Sequence, residues 1–239
     1  MEPFRSGTGP EPVVLILRSI FVMKWETAIS NTKCSRKPLQ IDCDSEQKII
    51  SYAYNMSNKK NDPNIKYPCI VKPINSGSSF GVSKINSKHK LNEAIELAKK
   101  YSEDFMIEEF IQGREITCAV HNFSNDKITA LPLTEIISKN EIFDYKAKYL
   151  GQSKEITPAQ IERKIEEKIK KISKKAYKTL NLNGIVRFDF IVKKNTPYII
   201  EVNTIPGFSK ESIVPQMIEA NGESIKKFIS KAIEKIISN

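Results

Sequence analysis

Two alternating segments near the C-terminus constrain the fold most strongly. Residues 185–192 and 198–202 place apolar side chains at every second position, and a short polar link, residues 193–197, joins them. Because successive side chains of a β-strand point to opposite faces, the pattern predicts a hairpin of two strands with one apolar face. The apolar positions are Val186, Phe188, Phe190 and Val192 in the first segment and Tyr198, Ile200 and Val202 in the second.

The opposite face of this predicted hairpin is polar. It carries Arg187 and Asp189 on the first strand and Glu201 and Asn203 on the second. Two carboxylates and an amide oxygen form an all-oxygen ligand set that suits Mg²⁺, which binds such atoms at about 2.0–2.1 Å. The same face could be the solvated side of a hairpin, with Arg187 in a surface ion pair. The hairpin alone leaves both interpretations open.

The chain from residue 67 onward alternates strand and helix patterns. This order predicts an α+β fold in which a small sheet–helix unit precedes a larger one. Thr157 as N-cap, Pro158 at the first helical position and a stripe of isoleucines predict the longest helix, which Asn183-Gly184 ends. The predicted strands before that helix are Cys69–Lys72, Gly81–Ile85, Phe105–Ile111, Glu115–Phe123 and Ile128–Ile137, and the other predicted helices are Lys88–Tyr101, Glu211–Ala220 and Glu223–Ile237.

Three other segments contain residues suited to binding a nucleotide. Asn75–Gly81 is a Ser/Gly loop after Lys72, and its small residues would let backbone N–H groups surround a phosphate. Glu108 and Glu109 end an apolar strand, where carboxylates could accept hydrogen bonds from adenine and ribose. Residues 143–149 hold two lysines and three aromatic residues, the content expected of a closing lid. Taken alone, the first two segments fit a flexible hairpin and an exposed edge strand equally well.

Composition argues against several classes of partner. The net charge of +10 comes from lysines spread along the chain without a run of five or six like charges, which favours a lysine-rich surface over a nucleic-acid site. The apolar stretch of residues 12–23 is broken by Arg18 and is too short to span a bilayer, so no membrane partner is expected. The two histidines, His89 and His121, are predicted to lie at the surface.

Cysteine usage favours a reduced, cytoplasmic protein. None of the cysteines has CxxC spacing or a nearby histidine pair, which makes a zinc site a poor interpretation. The cysteines are Cys34, Cys43, Cys69 and Cys118.

Taken in order, the motifs resemble the D-alanine–D-alanine ligase family of the ATP-grasp fold. The matching segments are VKP and GSSFGVSK, then MIEEFIQGRE, then FDYKAKYLG with EITPA, and finally RFDFI and IIEVNTIPGFSKESIVPQ. The resemblance covers residues 67–239 and implies two α+β subdomains that enclose ATP. It implies an ATP-dependent ligase that joins two D-alanines through an acyl phosphate in peptidoglycan precursor synthesis.

The resemblance also implies roles for individual residues. ATP would contact Lys72, Gly77, Ser78, Ser79, Glu108, Glu109, Ile111, Glu115 and Lys148. Two Mg²⁺ or Mn²⁺ ions would be held by Asp189, Glu201 and Asn203. Lys148 and Tyr149 would lie on the closing loop, with Tyr149 close to Ser78 of the Ser/Gly loop, and Arg187 with the Gly207 N–H would stabilise the oxyanion. Ser212 and Ile213 would hold the carboxylate of the second D-alanine.

The N-terminal part departs from the family pattern. Residues 1–66 lack a His-Gly-x-x-Gly-Glu-like segment, which in the family contacts the first D-alanine, and they lack a recognisable Rossmann-like lobe. We therefore expect a divergent N-terminal segment at 1–66, a central ATP-grasp subdomain at 67–125 and a C-terminal catalytic subdomain at 126–239. A homodimer is possible, but its usual surface would lie in the lobe that is not recognised.

Three functional interpretations remain. The chain is a D-alanine–D-alanine ligase, or another ATP-grasp ligase such as one that joins D-alanine to D-lactate, or a remnant that binds ATP–Mg²⁺ with little activity. The lid segment Ala147–Tyr149 favours an amine acceptor through the family resemblance.

Overall fold

The computed structural model describes residues 65–74, 79–124, 127–138 and 153–238, together with the backbone of residues 51–54. These residues all belong to one unit of the chain. The strands are β1 (Ser51–Tyr54), β2 (Cys69–Pro73), β3 (Ser83–Ile85), β4 (Phe105–Glu109), β5 (Arg114–Ser124), β6 (Lys127–Ala130), β7 (Thr134–Ser138), β8 (Ser153–Ile156), β9 (Ile185–Lys193) and β10 (Thr196–Asn203). The helices are α1 (Leu91–Lys99), α2 (Arg163–Thr179), α3 (Ile213–Ala220) and α4 (Ile225–Ile237).

The smaller sheet contains four antiparallel strands in the order β1-β4-β2-β3. Its alternation places one set of side chains against α1 and the other set towards the larger sheet. The residues buried against α1 include Cys69, Val71 and Ile107 of the sheet and Leu91, Ile95 and Ala98 of the helix. The opposite face carries Ile70, Lys72, Met106 and Glu108, which are only partly buried.

The larger sheet follows the order β10-β9-β5-β7-β8, with β6 paired to β5, and both of its faces are covered. The apolar stripe of α2, which includes Ile165, Ile169 and Ile172, covers one face. The helices α3 and α4 pack on the other face. The residues buried under α3 and α4 include Ala119, Phe123, Leu131, Ile136, Met217, Ile218 and Phe228. The predicted α+β architecture is confirmed. Between Glu109 and Arg114 the chain passes from the smaller sheet to the larger sheet. The domain boundaries at 66 and 125 stay a prediction.

Two predicted elements differ in the structure. The strand predicted at 128–137 is two strands, because the chain leaves the sheet after Leu131, whose N–H donates to the Ala119 carbonyl at 2.9 Å. The next residue, Pro132, cannot donate a ladder hydrogen bond. The helix predicted to begin at Thr157-Pro158 begins instead at Arg163, after Glu162 as N-cap. Thr157 is tied to the sheet, since its hydroxyl lies 2.6 Å from that of Thr134.

The predicted hairpin forms, but with one extra residue in its second strand. Ile199 pairs with Phe190 and Glu201 with Asp189, so a bulge at Ile200 shifts the alternation between them. Tyr198 therefore pairs with Ile191 and lies on the same face as Asp189, whereas it was predicted on the face of Val202. Val186, Phe188 and Phe190 are fully buried, as their periodicity predicts.

The prediction for His121 was wrong, because its side chain is 3% exposed. It packs edge-on against Phe228 and lies beside Phe123, whose backbone N–H donates to His121 Nδ1 at 3.3 Å. Burial lowers the pKa of His121 to about 4, while Glu223 raises it and Lys231 lowers it further. A β-strand that is buried on both faces leaves no surface position for this imidazole.

The remaining expectations concern the cysteines and the membrane. Cys69 and Cys118 are buried free thiols, and burial raises the pKa of Cys118 to about 11. Cys34 and Cys43 lie outside the described residues. No helix in the described part of the chain is long and apolar enough to cross a membrane.

Candidate active site

The polar face of the hairpin is organised around Asp189. This carboxylate is 4% exposed and receives four hydrogen bonds from three side chains. Arg187 Nε donates to Oδ1 at 2.8 Å and Nη2 to Oδ2 at 2.9 Å. Asn203 Nδ2 donates to Oδ2 at 2.8 Å, and Thr117 Oγ1 donates to Oδ1 at 2.7 Å. A two-pronged, charge-assisted pair of this kind fixes both orientation and position.

Arg187 remains positively charged in this site. Burial would lower its pKa, but the charge of Asp189 and its hydrogen bonds raise the pKa well above the usual value, with smaller contributions from Glu201 and Glu115. Strand register places both glutamates on the same face of the sheet as Arg187. The arrangement supplies a permanent cation held on a rigid strand, which suits the stabilisation of a negatively charged group.

The three predicted metal ligands come together on this face. Glu201 pairs directly with Asp189 across the two strands, and Asn203 pairs with Arg187. Directly opposed residues have Cβ atoms about 4.5–5.5 Å apart, so the two carboxylates can reach one cation. The described residues contain no group of three or more His, Cys, Asp or Glu that could hold a metal ion. The set is instead two carboxylates and an amide, whose oxygen atoms fit a hard ion such as Mg²⁺.

Lys72 connects the two sheets at the site. Its Nζ lies 2.7 Å from Glu108 Oε2, on the neighbouring strand of the smaller sheet. The same Nζ donates to the Ile200 carbonyl oxygen at 3.3 Å, across to the larger sheet. Ile200 is the extra residue of the bulge, so the irregularity turns a backbone acceptor towards the smaller sheet. Lys72 and Glu108 are therefore brought close to the Glu201 strand.

The other residues predicted to bind the nucleotide do not all lie on the side of the molecule that carries Asp189. Glu115 lies on the face of Asp189, because it pairs with Ile191 in register with Thr117 and Asp189. Ile111 lies in the link between the sheets. The Glu109 side chain lies on the opposite face of the smaller sheet from Glu108, since neighbouring residues of a strand alternate. It lines a groove of about 740 Å³ behind the link, away from Asp189.

The segment after the hairpin ends at the start of α3. Ser212 is the N-cap of α3, and its Oγ accepts from the Ser209 N–H at 3.0 Å. Ile213 is the first residue of the helix and its side chain is buried. Gly207 is exposed, and a Cβ there would lie 3.0 Å from Ser212 Oγ. The free N–H groups at a helix start favour an anion such as a carboxylate.

Four predicted residues, Gly77, Ser78, Lys148 and Tyr149, lie outside the described residues. Ser79 is described and adopts a left-handed backbone with φ of 59°, where the chain turns towards β3.

Two contacts near the site were not predicted from the sequence. Thr117 was not singled out, although alternation along β5 puts it on the same face as Glu115. Its polar side chain among the buried residues 116–120 was an available signal. Arg114 forms a two-pronged pair with Glu135 at 2.7 and 2.8 Å and donates to the Gln160 carbonyl at 2.7 Å. No local pattern indicates this contact, because Arg114 and Glu135 lie on different strands, 21 residues apart in the chain.

Two α+β units that meet at Lys72 and Ile200, with carboxylates and an arginine on one sheet face, define the ATP-grasp class of proteins. The sequence family described as D-ala D-ala ligase C-terminus matches residues 46–234. The chain belongs to this family.

Comparisons with curated proteins agree. The chain is similar to the D-alanine–D-alanine ligase of Flavobacterium johnsoniae, with 43% identity over 189 residues that make up 77% of this chain and 58% of that protein. It is also similar to the D-alanine–D-alanine ligase of Acetivibrio thermocellus, with 43% identity over 178 residues, 73% of this chain and 47% of that protein. The chain thus spans less than two thirds of the length of these relatives.

Solved structures share the fold. The VanG D-Ala:D-Ser ligase of Enterococcus faecalis superposes with a TM-score of 0.71 at 33% identity, over 79% of this chain and 57% of that one. The D-alanine–D-alanine ligase of Bacillus anthracis complexed with ATP gives a TM-score of 0.67 at 27% identity, over 80% of this chain and 61% of that one. The expected family and fold are confirmed.

Proposed function

We propose that this chain catalyses the ATP-dependent ligation of two D-alanines, for peptidoglycan precursor synthesis. The observation that carries the proposal is the Asp189 carboxylate, fixed by Arg187 and Asn203, with Glu201 directly across the hairpin. These groups lie on the larger sheet, within the residues that match the family, and next to Lys72 of the smaller sheet. Family membership and site chemistry therefore support the same reaction class.

ATP binds between the two sheets in this proposal. Lys72 leaves Glu108 to neutralise the phosphates, and Glu108 and Glu115 accept hydrogen bonds from adenine and ribose. Ile111 and Glu109 contribute through their backbone, because the Glu109 side chain lies on the other face. Gly77, Ser78 and Ser79 cover the phosphates, and Lys148 and Tyr149 close over them.

The reaction has two steps. The carboxylate of the first D-alanine attacks the γ-phosphorus of ATP, which releases ADP and forms an acyl phosphate. The amine of the second D-alanine then attacks the acyl carbon, loses a proton and expels phosphate. Arg187 and the Gly207 N–H stabilise the negative charge on the acyl oxygen, and Ser212 with the Ile213 N–H holds the second carboxylate.

Asp189, Glu201 and Asn203 would hold Mg²⁺ or Mn²⁺, two ions in the proposed active form. When bound, the metal neutralises charge on the transferring phosphoryl group. The chain's own contribution is to hold these oxygen ligands on two rigid strands beside Arg187.

Phosphate release with ATP and D-alanine tests the proposal. We expect release that depends on D-alanine, with the dipeptide identified by mass spectrometry. Parallel reactions that add D-serine or D-lactate to D-alanine test the acceptor, since one structural relative is a D-Ala:D-Ser ligase. If product forms only with D-serine or only with D-lactate, that acceptor replaces D-alanine as the second substrate. No release with any acceptor, alongside measurable ATP binding, would overturn ligation and leave a nucleotide-binding domain.

Glu201→Gln is the matched variant for the site. The Glu201 side chain is exposed, so the fold should be unaffected while one carboxylate is lost. We expect turnover to fall at least about 100-fold, with an unchanged unfolding midpoint. Turnover within a few-fold of wild type would contradict the assignment of Glu201 as a metal ligand.

A further inference from the structure

Arg187, Asn203 and Thr117 all donate to Asp189, but they differ in whether they would change hydrogen-bond partners when ligands bind. Under the proposed function, Arg187 turns to the substrate oxyanion and Asn203 offers its oxygen to a cation. Both side chains would change partners when the site fills. Thr117 has no such second role, and its hydroxyl donates to Asp189 Oδ1 at 2.7 Å.

Thr117 is placed to keep this contact. It lies directly opposite Asp189 in the pairing of β5 with β9 and is 0% exposed. Both backbones are fixed by the sheet, and a β-branched side chain has few accessible rotamers. A bond to Oδ1 sets the plane of the carboxylate, which directs Oδ2 towards the strand that carries Glu201.

We propose that Thr117 is a positioning residue that orients Asp189 for divalent cation binding. Groups that hydrogen-bond to a metal ligand typically change metal affinity by about 10–100-fold when they are removed. The inference rests on the proposed function, because it requires that Asp189 is a metal ligand.

The chain offers a matched control for the Thr117 hydroxyl. Thr134 is also fully buried, pairs with Thr117 across β5 and β7, and bonds through its hydroxyl to Thr157. Thr117→Val and Thr134→Val therefore remove the same atoms from neighbouring positions of one sheet. Only the first removes a hydrogen bond to Asp189.

The test measures Mn²⁺ affinity of the ATP-bound full chain by electron paramagnetic resonance. We expect Thr117→Val to weaken Mn²⁺ binding about 10–100-fold, Thr117→Ser to restore it to within about threefold, and Thr134→Val to leave it unchanged. With active protein, the concentration of Mg²⁺ for half-maximal rate should rise in the same proportion. Thermal melts report any general loss of stability separately.

Several results would overturn the proposal. These are wild-type Mn²⁺ affinity in Thr117→Val, equal weakening in Thr117→Ser, or equal weakening in Thr134→Val, which would indicate a loosened sheet. If the valine variant does not fold, Thr117→Ala removes the same hydroxyl and is judged by the same outcomes. Wild-type protein that binds ATP but no Mn²⁺ would overturn both this proposal and the metal assignment. If the protein binds Mn²⁺ but catalyses no ligation, the proposed function fails. The Mn²⁺ affinities of the variants then still decide the role of Thr117.

Discussion

In the larger sheet the Arg187–Asp189 ion pair is buried, whereas the Lys72–Glu108 ion pair of the smaller sheet is more exposed to solvent. The Arg187 and Asp189 side chains are 14% and 6% exposed, while those of Lys72 and Glu108 are 23% and 15% exposed. The larger sheet is covered by helices on both faces, and the described part of the smaller sheet packs on a single helix. The two halves of the site thus have different mechanical support.

This difference indicates a division of labour. Folding sets the position of the buried Asp189 carboxylate through the paired strands and the Thr117 hydroxyl, so ligand binding changes only the partners of Arg187 and Asn203. Lys72 is more exposed than Arg187, so it can exchange Glu108 for a phosphate at a smaller cost. We expect the larger sheet to be the fixed half and the smaller sheet to adapt to the nucleotide.

The largest effect is expected from breaking the buried network. Asp189→Asn removes the charge that compensates Arg187 and should destabilise the fold by about 3–5 kcal/mol. Urea unfolding of the full chain measures this loss. Glu201→Gln, at an exposed residue on the same face of the hairpin, should change stability by less than about 1 kcal/mol. Similar losses in the two variants would remove the distinction between buried and exposed carboxylates.

Acid should also weaken the larger sheet through His121. Its pKa is about 4 in the folded chain and about 6.5 when unfolded, so the unfolded chain holds more protons between these values. Stability should therefore fall as pH drops from about 6.5 to about 4, by a total on the order of 3 kcal/mol. His121→Phe, whose ring fits beside Phe228, should lose this component. An identical pH slope in the variant would contradict the assignment.

The link between the sheets should be sensitive at Gly113. A Cβ at this position would overlap the Val192 backbone carbonyl, which cannot move without disturbing β9. Gly113→Ala should therefore cost about 1–3 kcal/mol in urea unfolding. Gly207→Ala is the comparison, because its Cβ meets only the movable Ser212 side chain. A larger loss for Gly207→Ala would show that the close approach at Gly113 relaxes.

The smallest effect on stability is expected in the smaller sheet. Lys72→Met breaks the mostly buried pair with Glu108 and should cost about 1–2 kcal/mol. ATP affinity should still fall about tenfold or more, because the phosphates lose a cation. Isothermal titration with ATP and a urea melt separate the two quantities. A stability loss as large as that of Asp189→Asn would make the two halves equivalent.

The alternation of apolar and polar residues predicted the two faces of β9 correctly, because its six assigned positions, 186–190 and 192, lie in a regular strand. The same rule failed at Tyr198, since one bulged residue reverses the face of everything before it. The surface prediction for His121, near the end of a predicted strand, failed for a different reason, because Phe123 and Phe228 of α4 enclose its ring. Local patterns cannot report a bulge or a covering helix, as both depend on partners distant in the chain.

The sequence by itself determined the order of most helices and strands and the polar face of Arg187, Asp189, Glu201 and Asn203, because these follow from spacing within single segments. The family followed from a resemblance in the order of several motifs. Only the tertiary structure decided that Thr117 donates to Asp189, that Ile200 turns its carbonyl to Lys72, and that Arg114 pairs with Glu135. Each of these contacts joins segments that are far apart in the chain, so strand register and sheet order, rather than local propensity, bring their atoms together.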